Sequence, residues 1–208
     1  AGVDKRGGIN GGGDINIRQG KFNFTASAMI NQMRNRITGS TDRTTLLDTP
    51  NVHTYQSNFN KTQGGFMFGR LGLDYFATNR TTFSISGIRV HGEFKPFETI
   101  GITTDSLFNS GMKTIYSERN SSGSRTFNAS GVQAGMKHLF PKEGEEWTAD
   151  LNFFNGKNTG NNLYITDYYQ TPGGIKTGQM QQQLLSDGTN RFLTVQTDYV
   201  KPIKTWKI

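Results

Sequence analysis

Apolar residues recur at every second position along several short segments of the chain. Between Gly64 and Phe76 one phase reads Met67, Gly69, Leu71, Leu73 and Tyr75, and the other reads Phe68, Arg70, Gly72, Asp74 and Phe76. A period of two puts the first set on one face of a strand and the second on the opposite face. The alternation runs through 21–33 as well, where Phe22, Phe24, Ala26, Ala28 and Ile30 oppose Asn23, Thr25, Ser27, Met29 and Asn31. It returns in 126–140 with Val132, Ala134 and Met136, and in 147–156 with Trp147, Ala149, Leu151 and Phe153. The last instance is 191–200, with Leu193, Val195 and Tyr199. Gly13–Arg18 makes a first, shorter strand. In 81–94, Phe83 and Ile85 keep one phase and Ile88 and Val90 take the other, which predicts a β-bulge at Gly87. The pattern predicts about seven strands.

The connections carry as much information as the strands. Short turns at 19–21, 77–80 and 141–146 alternate with long polar segments at 34–63, 95–125 and 157–190. Within the last of these, 177–187 (TGQMQQQLLSD) reads as solvated loop or strand extension in preference to a short helix. Strict alternation of short and long is the order of an antiparallel up-and-down meander with its long loops at one end. Soluble sandwiches mix lengths at both ends, and compact soluble domains rarely hold loops longer than about 15 residues. Outer-membrane barrels show this asymmetry as a rule, with strands that are apolar outside and polar inside. The expected fold is all-β: an antiparallel up-and-down meander that forms a section of a larger transmembrane β-barrel.

That architecture assigns the faces. Met67, Leu71, Leu73, Ala149, Leu151, Phe153, Leu193 and Val195 are the lipid-facing candidates. Arg70, Asp74, Asp150, Gln196 and Asp198 are the lumen-facing candidates, and Arg70 and Asp74 are placed to pair across strands. Tyr75, Phe140, Trp147 and Tyr199 lie beside the short turns, where an aromatic girdle is expected. Ligand contacts are expected in the long loops, from Phe97, Tyr164, Tyr168 and Tyr169.

Composition narrows the alternatives. Only 33% of the 208 residues are apolar, and mean hydropathy is −0.60, which is thin for the packed core of a soluble enzyme. The 15 Phe and 26 Gly exclude a disordered chain and suit aromatic-rich, glycine-punctuated strands. With no cysteine there is no disulfide framework or thiolate metal site. No apolar run of about 18 residues is present to make a transmembrane helix.

The net charge of +7 is scattered, gathering only at 32–36 (QMRNR) and 201–207 (KPIKTWK). That is not the basic stripe of a nucleic-acid binder, so no nucleic-acid partner is expected. Phosphate-rich lipid at a membrane surface is another reason for such charge. The glycine-rich 7–14 (GGINGGGD) lacks the Lys-Ser/Thr of a phosphate loop and reads as flexible loop or the approach to a strand. His53, His91 and His138 have no ligand spacing. No catalytic, cofactor-binding or metal-ligating residue is expected, and the chain reads as no enzyme. Both termini look cut, so a piece of a longer polypeptide is expected.

Two segments carry a resemblance. In 134–156, Lys137, Phe140, Pro141, Lys142, Gly144, Glu146 and Trp147 form a turn motif. In 192–206, Gln196, Asp198, Tyr199 and Pro202 form a strand end. Together they resemble the outer-membrane β-barrel region of TonB-dependent receptors from the Bacteroidota. The resemblance implies nutrient uptake through a barrel of about 22 strands with a plugged lumen, driven by the TonB complex through its plug. Residues 1–208 would then be a partial barrel without a plug domain, lying in the outer membrane of a Gram-negative bacterium. Short turns would be periplasmic and long loops extracellular. The implied partners are outer-membrane lipid or lipopolysaccharide, the remainder of the barrel, and the plug. The alternatives are a soluble all-β carbohydrate-binding module and an outer-membrane barrel with a secretion or scaffold role.

Overall fold

A computed structural model describes residues 1–46 and 50–203. Every regular element among them is a strand: β1 (Gly2–Val3), β2 (Ile9–Gln19), β3 (Phe22–Thr45), β4 (Asn51–Phe76), β5 (Thr81–Phe108), β6 (Gly111–Leu139), β7 (Glu146–Tyr169) and β8 (Lys176–Val200). They form one sheet in sequence order, each strand antiparallel to the next. Only sequential neighbours touch among the described residues, so the sheet is open between β1 and β8. The meander is the one the alternation predicts, with the two-residue β1 added ahead of the seven long strands. Of the basic segment 201–207, residues 204–207 lie outside the described residues.

The strands are about twice as long as their apolar patterns. Over the described residues, the long polar segments expected as loops are mostly paired strand. The β3–β4 ladder runs unbroken from Phe22↔Tyr75 to Thr45↔Val52, so it includes all of 34–45 and 52–63. β5 and β6 stay paired up to Phe108↔Gly111, and β7 and β8 up to Tyr169↔Lys176. Residues 177–187 are strand. Where both faces of a sheet are polar, no apolar face marks the strand, so period two disappears from the sequence. The backbone groups still need partners, and the ladder keeps supplying them.

The bulge expected at Gly87 is absent. Gly87 pairs with Leu71 and Val132 in constant register, and the shift in these ladders lies between Tyr168 and Tyr169. Both of β5's neighbours hold their register through this point, and a bulge would break two ladders at once. Ile88 and Val90 therefore point to the polar face. At the β2–β3 turn, Gly20 has φ 58°, while among the described residues no other residue type has positive φ. A positive φ at the first central position alone is the pattern of a type II′ hairpin turn.

Among the described residues no second layer covers the sheet. Ile100 and Ala129 are the buried apolar residues among those described, and neither belongs to the apolar pattern of the strands. The side chains that a soluble sandwich would bury stay exposed: Leu71 at 70% and Val195 at 71%.

Candidate functional site

Antiparallel register places cross-strand partners on the same face, so the ladders resolve each face into rows. On the apolar face, Phe24, Leu73, Ile85, Ala134, Leu151 and Val195 lie side by side from β3 to β8. The next row is Ala26, Leu71, Gly87, Val132, Phe153 and Leu193. Met67 and Ala149 share this face, so all eight candidates assigned to it in sequence lie together. On β3 the apolar run Phe22–Ile30 spans nine residues. That is about 27 Å along the strand, or about 21 Å along the normal of a slab crossed at about 40°. The edge of the band is slanted. Ile30 and Met67 continue it on β3 and β4, while β5 is already polar beside them at Arg89 and His91. A slant of this kind is what strands tilted against a slab produce.

The aromatics gather at the short-turn end of that face. Tyr75 stacks on Phe22 at 5.0 Å between centroids. Phe140 meets Tyr199 edge-on at 5.8 Å, and Trp147 Nε1 donates to Thr197 Oγ1 at 2.7 Å. The Tyr199 hydroxyl hydrogen-bonds the Glu145 carboxylate. Tyr199 keeps its ring beside the band and its hydroxyl beyond it, whereas Trp147 turns its indole N–H back to Thr197 in the Ala149 row.

Arg70, Asp74, Asp150, Gln196 and Asp198 share the opposite face. Asp74 accepts from Asn23 Nδ2 at 3.1 Å, Arg70 donates to Ser86 Oγ at 3.3 Å, and Ser86 donates to Gln133 Oε1 at 3.4 Å. Arg70 and Asp74 thus pair across strands with neutral partners. Gln196 donates to Asp198 at 2.7 Å, and Lys137 pairs with Glu146 at 2.7 Å. A groove of about 570 Å³ on this face is lined from Asp14 on β2 to Asp150 on β7, so the sheet bends across six strands toward its polar side.

Sequence reasoning missed an aromatic patch farther along the polar face. Phe66, Phe68, Ile88, Val90, Phe127 and Phe154 all fall in the polar phase. Phe94 and Phe127 stack at 6.2 Å and 9°, and Phe154 lies 6.2 Å from Phe192. A Cβ on Gly92 would overlap the Phe127 ring, so that ring lies flat over the glycine. The signal was present in "GGFMFG", where both phases are apolar at once. The four residues expected to meet ligand from loops are on strands. Phe97 is on β5, and Tyr164, Tyr168 and Tyr169 are on β7. They do not form one site: Phe97 falls on the face of the apolar band, and Tyr164 and Tyr168 on the other.

The fold and its faces define a class first: a one-layer antiparallel meander, apolar on one side, of the kind that forms a section of barrel wall. Residues 138–208 match the outer membrane protein beta-barrel family. This match covers the turn motif from Phe140 to Trp147 and the strand end through Pro202, and it bears out the barrel resemblance over that part of the chain. No curated protein matches. Among solved structures, the chain is similar at 8% identity to the membrane pore complex of pneumolysin, over 90% of this chain and 31% of that one, with a TM-score of 0.15. It is also similar at 8% identity to the ferric-catecholate import receptor Fiu from K12 E. coli, over 95% of this chain and 47% of that one, with a TM-score of 0.18. The chain spans less than half the length of either protein.

Proposed function

We propose that this chain is a stretch of the wall of a TonB-dependent receptor-like transporter for nutrient uptake across the outer membrane. One observation carries the membrane part of the reading. The apolar band is exposed along one face of a single sheet, and hydrogen-bonded polar residues occupy the other. In water that band would cost free energy on every strand. In a bilayer it faces acyl chains, while Arg70, Asp74, Asp150, Gln196 and Asp198 face an aqueous or plugged lumen. Short turns then lie on the periplasmic side and the long hairpins stand outside the cell. The work of such a wall is transport, with no catalytic step. The transport part rests on the turn and strand-end motifs at Lys137–Trp147 and Gln196–Pro202, and its partners would be the rest of the barrel, a plug and the TonB complex.

The carbohydrate-binding alternative requires a second layer over Leu71, Leu151 and Val195, and nothing covers these residues among those described. The test is spin labelling in detergent at Leu71, Leu151 and Val195, with Arg70 and Asp150 as counterparts. The apolar-face labels are expected to respond to a lipid-soluble quencher and the polar-face labels to an aqueous one. Protection of the apolar-face labels from both would overturn the reading. Uptake is tested by growth on a limiting nutrient with and without TonB. Growth that is unaffected by loss of TonB in a strain relying on this protein would favour a scaffold role.

A further inference from the structure

The face that carries the apolar band does not stay neutral beyond it. One row past Leu71, Gly87 and Val132 come Arg89, Ser130, Asn155 and Arg191, side by side on β5 to β8. Lys157 follows one row later beside Asn128 and Thr189. Two further rows bring Arg34 and Lys95 on β3 and β5, then Arg36 and Lys61 on β3 and β4. Five rows of β3–β8 on this face thus hold seven Lys or Arg and only two carboxylates, Glu93 and Asp187. Those two are taken, by Lys95 at 3.1 Å and Lys157 at 3.1 Å. Arg89 and Arg191 bond only to neutral groups: Ser130, Asn128 and Asn155. Farther out carboxylates outnumber cations: Glu118 and Asp167 share one row, and Asp42 lies in the next, with Lys176 there paired to Asp167. The face is layered along the strands: apolar, then cationic, then acidic.

We propose that this cationic layer holds the phosphate groups of outer-leaflet glycolipid, with the glycolipid's acyl chains on the apolar band beside it. The inference rests on the membrane reading of that band. Three observations support it. The cations begin where the apolar rows end, which is where headgroup phosphates lie when acyl chains cover Leu71 and Val132. They face outward with the band, so they are no part of the lumen. A shallow groove of about 800 Å³ runs beside Arg36, Lys61 and Lys95, with Phe97 along it. That gives a phosphorylated sugar two guanidinium or ammonium contacts and an aromatic surface at once. Arg36 and Lys61 are cross-strand neighbours on one face, a spacing that like charges tolerate poorly unless an anion lies between them. Phe97 thereby gains a ligand-facing role on the outer surface.

The test uses this chain with neighbouring barrel strands supplied in the same polypeptide, in detergent micelles carrying lipopolysaccharide, either intact or enzymatically dephosphorylated, with inorganic phosphate as a competitor. Intact glycolipid is expected to bind at least tenfold more tightly than the dephosphorylated form, and this advantage is expected to weaken as salt rises. The variant R36Q/K61Q/R89Q is expected to lose it, and the charge-conserving R36K/K61R to keep it. Millimolar inorganic phosphate is expected not to compete, because it lacks the acyl chains. Equal binding of both glycolipids, an unchanged R36Q/K61Q/R89Q, or full competition by free phosphate would overturn the inference. A lipid-accessible label at Leu71 alongside equal binding would overturn the phosphate layer alone. A water-exposed label there would remove the membrane reading, and this inference with it.

Discussion

At the scale of single residues, exposure and face decide what a side chain can do. Leu71 is 70% exposed and sits in the middle of the apolar rows, between Ala26 and Gly87. A charge at the midplane of a barrel's lipid face costs about 2–4 kcal/mol. With neighbouring barrel strands supplied in the same chain, Leu71→Arg is expected to destabilise the folded barrel in lipid vesicles by that amount, read from a reversible denaturant titration. Asp150→Asn, on the polar face, is expected to cost well under half as much. Equal effects from the two changes would mean that neither face is lipid. The tertiary structure also moved residues from where sequence put them. Ile88 and Val90 pair with Arg70 and Phe68 on the polar face, because two ladders fix the register of β5 against its own hydrophobic preference. From sequence, a change of apolar phase looks the same whether the strand bulges or an inner face turns apolar.

At the scale of elements, the hairpins extending beyond the apolar band are held by their ladders and by local charge. Gly65 is packed against the neighbouring backbone, and a Cβ there would overlap the Asn31 carbonyl oxygen. Backbone cannot move aside as a flexible side-chain end does, so Gly65→Val is expected to break β3–β4 pairing locally. Hydrogen exchange at residues 30–33 and 64–67 is expected to accelerate at least tenfold. Unchanged protection would show that the strands separate there at little cost.

The tip of the β7–β8 hairpin depends on Asp167. Lys176 pairs with its carboxylate at 2.6 Å and Gln179 donates to it at 2.8 Å, and these bonds, Lys176 first, hold it below the usual carboxylate range. A lowered pKa in the folded state contributes stability above the unfolded value, and that contribution is lost as pH falls through the folded value. Exchange at the Gln170 amide, which bonds the Ile175 carbonyl, is therefore expected to quicken, relative to its intrinsic rate, as pH drops below the ordinary carboxylate range. In Lys176→Met that pH dependence is expected to shrink. The same profile in both proteins would mean that the pair does not hold the tip.

At the scale of the whole molecule, the sheet is open and one layer thick. Among the described residues β8 is paired on one side only, by β7, and all of its residues but one are exposed. β3 beyond Asn31 likewise has no strand partner on its β2 side among the described residues. Unpaired strand edges recruit other strands, and in a bilayer unpaired backbone groups are costlier still. The polypeptide of residues 1–208 by itself is therefore expected to form heterogeneous oligomers in detergent, read by light scattering. Neighbouring barrel strands, supplied in the same chain, are expected to make it monodisperse. A monodisperse, well-folded monomer of these residues alone would show that the edges are satisfied in another way.

The alternation of Phe22 to Ile30, Met67 to Tyr75 and Trp147 to Phe153 determined the strands, their antiparallel order and the apolar band on one face. A strand with one apolar side writes that asymmetry directly into every second residue. The spacing of turns determined the meander, because Gly20 and the short 77–80 and 141–146 segments leave room only for neighbouring strands. The tertiary structure alone decided three things. It extended the strands through 34–45 and 51–63, 95–108 and 111–125, and 157–169 and 176–190, because backbone pairing continues where side chains no longer report it. It set Ile88, Val90 and the phenylalanines on the polar face, because register is shared among neighbours and not chosen by one strand. And it gathered Arg34, Arg36, Lys61, Lys95, Lys157, Arg89 and Arg191 beside the apolar band. Scattered along one chain, these cations have no visible order. Their order comes from cross-strand adjacency, which only the ladders define.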